Sequence, residues 1–168
     1  MDKIKITTKL TFEDFRKVNF YLLYRKGVSK FSLGMGTFLL LGTLTFYILE
    51  PDFYTQFPVI PVALGLAMTI LPPYSILRTS KKNYNSNSRI SETISYRFDN
   101  DVIEISGESF HSKLTWDKIY ELTVTKSWVL IWPNGQVANV IPRRDIDSTQ
   151  IQGLKNIVET YPSIKRRY

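Results

Sequence analysis

The hydrophobic pattern divides the chain into a short alternating start, two long apolar stretches and a polar remainder with brief apolar alternations. Two stretches without a charged residue, Phe31–Leu49 and Phe53–Leu77, are separated only by Glu50, Pro51 and Asp52. A helix of about 20 apolar residues crosses the hydrocarbon of a bilayer. We therefore predict a transmembrane hairpin over residues 31–77, which argues against most classes of soluble enzyme.

Residues 1–30 are predicted to form a strand and an amphipathic helix. Ile4, Ile6 and Thr8 alternate with polar neighbours, as in a half-buried strand. Thr11 has the side chain of a helix N-cap, and apolar residues recur at helical spacing from Phe12 onward. Three placements of this helix remain open: in the membrane interface, against the polar domain, or as an extension of the first span.

The two spans carry features that bear on their packing. Glycines in the first span, such as Gly36, allow the second span to approach closely. Pro72 and Pro73 are expected to break the second span near its end. The stretches themselves hold no ionisable residue, which argues against a proton or ion pathway. An aromatic belt is expected at Tyr47, Phe53, Tyr54 and Tyr74.

Beyond the hairpin, the pattern changes to short strands. Residues 78–89 form either a linker or the ragged end of the second helix, and residues 90–168 form the main polar domain. Six antiparallel strands are predicted at 94–98, 102–105, 110–115, 119–125, 128–132 and 136–141. Asp147 and Gln150 have the spacing of a capping box for a last helix that ends before Pro162. The predicted class is α+β: a hairpin plus a bent sheet or partial barrel closed by this helix, which the first strand can join.

The net charge of +7 is distributed unevenly along the chain, and this distribution indicates an orientation and a partner. Basic residues flank the outer ends of the hairpin, whereas its turn is acidic, so the positive-inside rule puts both termini in the cytoplasm. This position favours anionic lipid headgroups over nucleic acid as the partner. The predicted lipid- or partner-binding residues are Arg25, Lys26, Lys30, Arg78, Lys81, Lys82, Arg143 and Arg144.

The alternative for Arg143 is an ion pair with an acidic neighbour, and Lys165–Arg167 forms either a second membrane contact or a solvated tail. The row of Trp128, Leu130 and Trp132 shares one strand face and belongs to the core or to a ligand-facing strip. Core is the favoured interpretation of this row.

Few residue types for catalysis are present. The chain has no Cys and one His, His111, which we expect to be a solvated surface side chain. Disulfides, thiolate metal sites and Cys nucleophiles are therefore excluded. No nucleophile elbow or phosphate loop is found in the sequence. We predict a protein that is not an enzyme and that uses no cofactor or metal.

Three segments resemble the YcxB-like family of bacterial membrane proteins. They are residues 96–101 (Tyr-Arg-Phe-Asp-Asn-Asp), residues 114–119 (Leu-Thr-Trp-Asp-Lys-Ile) and residues 140–145 (Val-Ile-Pro-Arg-Arg-Asp). The resemblance implies a transmembrane hairpin followed by a domain related to the pleckstrin-homology (PH) superfold.

The expected function is that of a membrane-anchored, non-enzymatic binding module in the bacterial cell membrane, which contacts lipid, a peptide or a membrane protein. The chain also resembles immunity proteins against membrane-active bacteriocins. The alternative is a structural or regulatory subunit of a larger transporter or sensor, motivated by the small residues of the first span.

Overall fold

The computed structural model describes residues 3–54 and 56–168, and it divides the chain into two units. A sheet unit comprises Met1–Thr11 and Asn87–Tyr168, and a helical unit comprises Phe12–Ser86. The strand of the first region and the helix that follows it therefore belong to different units. The helical unit interrupts the sheet unit in sequence.

The helical unit consists of α1 (Phe12–Arg25), α2 (Gly27–Leu49) and α3 (Val59–Ser86). The two predicted spans lie mainly in α2 and α3, and both helices are long and apolar enough to cross a membrane. Residues 78–86 continue α3, so they follow the second of the two predicted alternatives, the end of the helix. A short 3-10 turn, Pro51–Phe53, follows α2.

Pro72 and Pro73 do not end α3, contrary to our expectation. A proline at position 72 has no N–H to donate to the carbonyl of Met68, four residues earlier. Ser32 of α2 donates a hydrogen bond from Oγ to that carbonyl oxygen over 3.1 Å. A neighbouring helix therefore supplies the donor that proline removes, a compensation well suited to an apolar environment.

The close approach of α2 and α3 is centred on two glycines. A Cβ atom on Gly36 would lie 3.0 Å from the carbonyl oxygen of Gly65, and one on Gly65 would lie 3.0 Å from that of Gly36. Both are closer than ordinary van der Waals contact. The expectation that Gly36 admits the second helix is confirmed, whereas, apart from the neighbouring residues of α2 itself, no atom of the described residues lies within 4 Å of a Cβ placed on Gly34 or Gly42.

Helix α1 packs within the helical unit. Its Phe12 and Phe15 rings lie 5.6 and 6.1 Å from the ring of Tyr84 in α3. Lys26 has an extended backbone, which separates α1 from α2 and excludes one continuous helix through the first span. Packing against α3 was not among the three placements predicted from the sequence.

The sheet unit contains eight strands in two four-stranded sheets. Sheet A has the order β1-β2-β3-β4, and sheet B has the order β7-β6-β5-β8. The strands are β1 (Ile4–Lys9), β2 (Thr93–Phe98), β3 (Val102–Ser106), β4 (His111–Thr115), β5 (Glu121–Val124), β6 (Trp128–Trp132), β7 (Asn139–Pro142) and β8 (Lys165–Arg167). Short helices or turns, including α4 (Ser88–Ser91) and the 3-10 turns Trp116–Lys118 and Arg143–Asp145, connect some of them.

The predicted α+β class is confirmed, and the strands lie in two four-stranded sheets, neither of which closes in the described part of the chain. The 3-10 turn at Trp116–Lys118 divides the strands, so β4 and β5 belong to different sheets. The first strand does join the domain, since β1 pairs antiparallel with β2 from Ile4 opposite Phe98 to Lys9 opposite Thr93.

The core of this unit lies between the sheets and the last helix, α5 (Ser148–Glu159). Its buried residues come from sheet A, sheet B and α5, for example Phe98, Leu122 and Leu154. Trp116 is fully buried and donates from Nε1 to the carbonyl of Asp99 over 2.8 Å. The predicted capping box of α5 is present.

The row on β6 is mainly buried, in line with the favoured interpretation. Leu130 and Trp132 are buried and Trp128 is half-buried. Val129 and Ile131, which point to the opposite face of the strand, belong to the hydrophobic core. Both faces of β6 are therefore shielded from solvent.

Candidate functional site

Six of the predicted binding residues lie in the helical unit. Arg25 is the last residue of α1 and is half-buried. The other five are exposed: Lys26 lies between α1 and α2, Lys30 lies in α2, and Arg78, Lys81 and Lys82 lie in α3. Because α2 and α3 run antiparallel, with Ser32 beside Met68, Lys30 and Arg78 lie at the end of the hairpin opposite Glu50 and Asp52. Their binding role stays a prediction.

Arg143 and Arg144 lie in the 3-10 turn between β7 and α5, but their surroundings differ. Arg144 is exposed, with Nε 3.6 Å from Oδ1 of Asp145 and Nη2 3.4 Å from the carbonyl of Lys9. Arg143 instead lines a groove of the sheet unit. The structure therefore separates two neighbouring arginines that the sequence presents as one pair.

The groove lies between one face of α5 and the turn that joins β5 to β6. Its volume is about 670 Å³, and it is open to solvent on one side. Ser148, Ile151, Gln152 and Lys155 line it from successive turns of α5, as the helical repeat dictates. The remaining lining residues are Val124, Thr125, Lys126 and Arg143. We call this the basic groove.

Among the residues that the structure describes, three cationic side chains from three different elements line the basic groove, and no carboxylate does. Lys126 is exposed on the β5–β6 turn, and Lys155 is half-buried with its ammonium 4.4 Å from the centre of the Tyr168 ring. Arg143 is half-buried, and its Nη1 is buried without a hydrogen-bond partner in the described part of the chain. Coulomb attraction therefore favours an anion in the groove.

The backbone around the groove is held by specific hydrogen bonds. Thr125 accepts at Oγ1 from the amide of Trp128 over 2.9 Å, which shapes the β5–β6 turn. The amide of Arg143 donates to the carbonyl of Ser127 over 2.9 Å, which ties the 3-10 turn to the same loop. Lys126 and Arg143 are therefore presented from linked segments.

Two acidic residues lie close in sequence to the groove but are engaged elsewhere. Asp145 accepts at Oδ2 from Thr8 Oγ1 over 2.6 Å. Asp147 accepts at Oδ1 from the amide of Gln150 over 2.7 Å as the N-cap of α5. Because the Asp147 carboxylate caps the start of α5, we attribute anion binding in the groove to the three cationic side chains and not to the helix N-terminus.

Sequence reasoning predicted Arg143 but missed Lys126 and Lys155. Lys155 follows the core residue Ile151 by one helical turn, which marks a position on the flank of α5. This spacing places Lys155 at the edge of the buried face of α5, but it does not indicate which loop lies opposite. Lys126 sits in a turn, where a solvated lysine is the ordinary expectation.

Lys165–Arg167 forms strand β8, which pairs parallel with β5, so the segment is not a tail, and its predicted membrane contact stays a prediction. Its three side chains are exposed. Arg167 lies with Nε 3.5 Å from Oε1 of Glu121, a carboxylate that is 1% exposed. The backbone of this basic segment completes an edge of sheet B.

Hydrogen bonds and nearby charge lower the pKa values of two carboxyl groups of the sheet unit. Ser109 donates to Glu92 from Oγ over 2.6 Å and from its amide over 3.0 Å, and these bonds lower the pKa of Glu92. Lys3 lies with Nζ 3.1 Å from Oδ2 of Asp99 and is the main reason that the pKa of Asp99 is lowered. Both carboxylates stabilise turns outside the groove.

The exposed His111 lies with Nδ1 2.8 Å from Ser106 Oγ, a cross-strand contact between β3 and β4. Its exposure agrees with the predicted surface role. Within the described ranges, no cluster of three or more His, Asp or Glu side chains is arranged to hold a metal ion.

A family model described as YcxB-like protein matches residues 98–158. The predicted resemblance is thereby confirmed for this part of the chain. The matched segment runs from the end of β2 to the last turn of α5 and contains all eight residues of the basic groove. No curated protein and no solved structure matches the chain.

Proposed function

We propose that the protein is a membrane-anchored, non-enzymatic binding module of the bacterial cell membrane. The observation that carries this proposal is the exposed apolar surface of α2 and α3, where Phe38 is 71% and Ile60 81% exposed. Water-soluble monomers rarely expose a large contiguous apolar patch. Transfer of each such side chain from water into lipid contributes about 1.5–3 kcal/mol.

The charge distribution supports an orientation with both termini in the cytoplasm. Lys26, Lys30 and Arg78 flank the hairpin at one end, and Glu50 and Asp52 lie in its turn. Lys and Arg are retained on the cytoplasmic side of short membrane segments. The sheet unit is then cytoplasmic, and anionic headgroups of the cytoplasmic leaflet attract nearby basic residues by about 1 kcal/mol each.

The chain contains no Cys, so single cysteines test this topology cleanly. Asp52→Cys in the turn and Ser163→Cys after α5 are each treated with a membrane-impermeant thiol reagent on intact cells and after lysis. The proposal requires a membrane-bound protein, labelling of D52C in intact cells, and labelling of S163C only after lysis. Recovery in the soluble fraction, or protection of D52C in intact cells, contradicts it.

For the sheet unit, we infer a relative of the PH superfold. Two sheets that share one core with a carboxy-terminal helix support this assignment, although each sheet is open.

The specific role that we propose for the module is self-immunity against a membrane-active bacteriocin, by analogy of fold. Expression in a sensitive strain should protect it against at least one peptide of a panel; unchanged killing by every peptide removes this role.

A second function, as a subunit of a larger transporter or sensor, is supported by the open glycines of α2. Within the described part of the chain, a Cβ atom on Gly34 or Gly42 would meet nothing within 4 Å, so the backbone is accessible to another helix. Mild-detergent purification should then recover a stoichiometric partner, which Gly34→Leu would displace. A chain that always purifies alone argues against this function.

A further inference from the structure

We infer that the basic groove binds a phosphate monoester group. The inference deepens the proposed function and rests on it only in treating the sheet unit as the binding part of the chain. Lys126, Arg143 and Lys155 line the groove from a turn, a 3-10 turn and a helix. Cations that approach from three elements suit a tetrahedral dianion with several acceptor oxygens.

Arg143 gives the groove its main binding group. Its Nη1 is buried and has no hydrogen-bond partner in the described residues, and its backbone is held by Ser127. A buried donor without a partner is costly, and a guanidinium matches two phosphate oxygens at once. The described residues leave part of the hydrogen-bonding capacity of this guanidinium unused, and Arg143 lines the groove in which a phosphate would lie.

The two lysines add charge without a competing carboxylate. Among the described residues, neither Lys126 nor Lys155 lies in an ion pair, and the ammonium of Lys155 faces the Tyr168 ring. Ser148 and Gln152 add a hydroxyl and an amide to the lining, and Val124 and Ile151 provide an apolar floor. At about 670 Å³, the groove also admits the group that carries the phosphate.

The test uses the full chain and two sources of the same group. Glycerol 3-phosphate is titrated by calorimetry into protein in neutral detergent micelles, with glycerol as the unphosphorylated control. In parallel, protein in phosphatidylcholine nanodiscs is compared with protein in nanodiscs that also contain phosphatidic acid, by the mobility of a spin label at Ser127→Cys, beside the groove, and at Lys118→Cys, outside it. Saturable binding of glycerol 3-phosphate identifies a soluble ligand; immobilisation by phosphatidic acid at position 127 but not at 118 identifies a lipid headgroup.

Arg143→Gln should weaken the phosphate affinity by about tenfold to a hundredfold, the usual effect of losing a charge-assisted hydrogen bond. The matched control is Arg166→Gln, which removes an exposed arginine of β8 outside the groove and should change the affinity less than twofold. Higher salt should weaken binding to the wild type. The response to phosphatidic acid, if that is the source, should be lost in the R143Q background.

If R143Q fails to fold, as judged by circular dichroism, the double variant Lys126→Gln and Lys155→Gln decides, with an expected loss of about tenfold. No response in either arm, an unchanged affinity in the folded variants, or an equal loss in R166Q overturns the inference. These outcomes are distinct from failure of membrane anchoring, because the groove variants leave α2 and α3 unchanged. A chain that proves water-soluble still allows the glycerol 3-phosphate titration in buffer.

Discussion

The crossing of α2 and α3 predicts that Gly36→Ala destabilises the hairpin, whereas the same change at Gly34 does not. The new Cβ at position 36 would lie 2.8 Å from Thr69 Cγ2, 2.9 Å from Met68 Cβ and 3.0 Å from the Gly65 carbonyl oxygen. Two of these atoms are backbone or directly attached to it. They move only if α3 itself moves away from α2.

Two effects of opposite sign determine how much Gly36→Ala changes the stability of the hairpin. Replacing glycine by alanine in a helix interior favours the helix by about 0.8–1 kcal/mol. Overpacking a tight contact costs about 1–3 kcal/mol. Gly34→Ala, with nothing near its new Cβ, should show only the favourable effect. The difference between the two variants cancels the helix preference and isolates a packing cost of about 1–3 kcal/mol.

The assay is unfolding of the full chain in neutral micelles by increasing amounts of a denaturing detergent, followed by far-ultraviolet circular dichroism. The sheet unit contributes to this signal, so a donor and an acceptor dye on cysteines introduced at Ser29 and Tyr74 report separation of α2 and α3 directly. G36A should separate at lower denaturant than G34A. Equal midpoints for the two variants would refute the close crossing.

Three further predictions concern single hydrogen-bonded side chains. Ser32→Ala removes the donor to Met68 and should lower hairpin stability by about 0.5–1.5 kcal/mol in the same detergent assay; no loss means that Pro72 is tolerated for another reason. The lowered pKa of Glu92 adds stability that is complete above the ordinary carboxyl pKa of 4.5 and is lost as the pH falls through the lower folded-state value. Glu92→Gln should therefore flatten the acid limb of stability measured by tryptophan fluorescence, and an unchanged limb counts against the Ser109 bonds. Trp116→Phe leaves a cavity and an unpaired carbonyl and should lower the thermal midpoint of the sheet unit, by about 1–3 kcal/mol of stability; a wild-type midpoint would contradict its buried role.

The apolar stretches and the alternating patterns predicted most of the secondary structure because these signals are local. Two uncharged runs mark α2 and α3, and the capping box at Asp147 and Gln150 marks the start of α5. The behaviour of Pro72 was not predictable in this way. It depends on Ser32, a residue forty positions earlier that only the packing of two helices brings close.

Sheet topology was harder to predict from the sequence, because it too depends on contacts between residues that are distant in the chain. Strand β8 is a run of basic residues with no apolar alternation, and its parallel pairing with β5 is set by where α5 delivers the chain. The division of the strands into two sheets depends on how the Trp116 turn redirects the backbone. Neither property appears in the pattern of a single segment.

The candidate site was predicted in part. Arg143 was identified from a short basic pair, but its difference from Arg144 follows from long-range contacts with Ser127 and Lys9. Lys126 and Lys155 join the groove only because α5 packs beside the β5–β6 turn. Charge alone suggested a diffuse basic surface, whereas the fold concentrates three cations in one concavity.

The pairing of β1 with β2 has a consequence for how the protein is made. During translation β1 emerges first, and its partner follows only after both long helices have been synthesised. At ordinary elongation rates this delay is on the order of ten seconds. For that time β1 is an unpaired strand open to chaperones or to a second nascent chain, so sheet A can form with its first strand only late in synthesis.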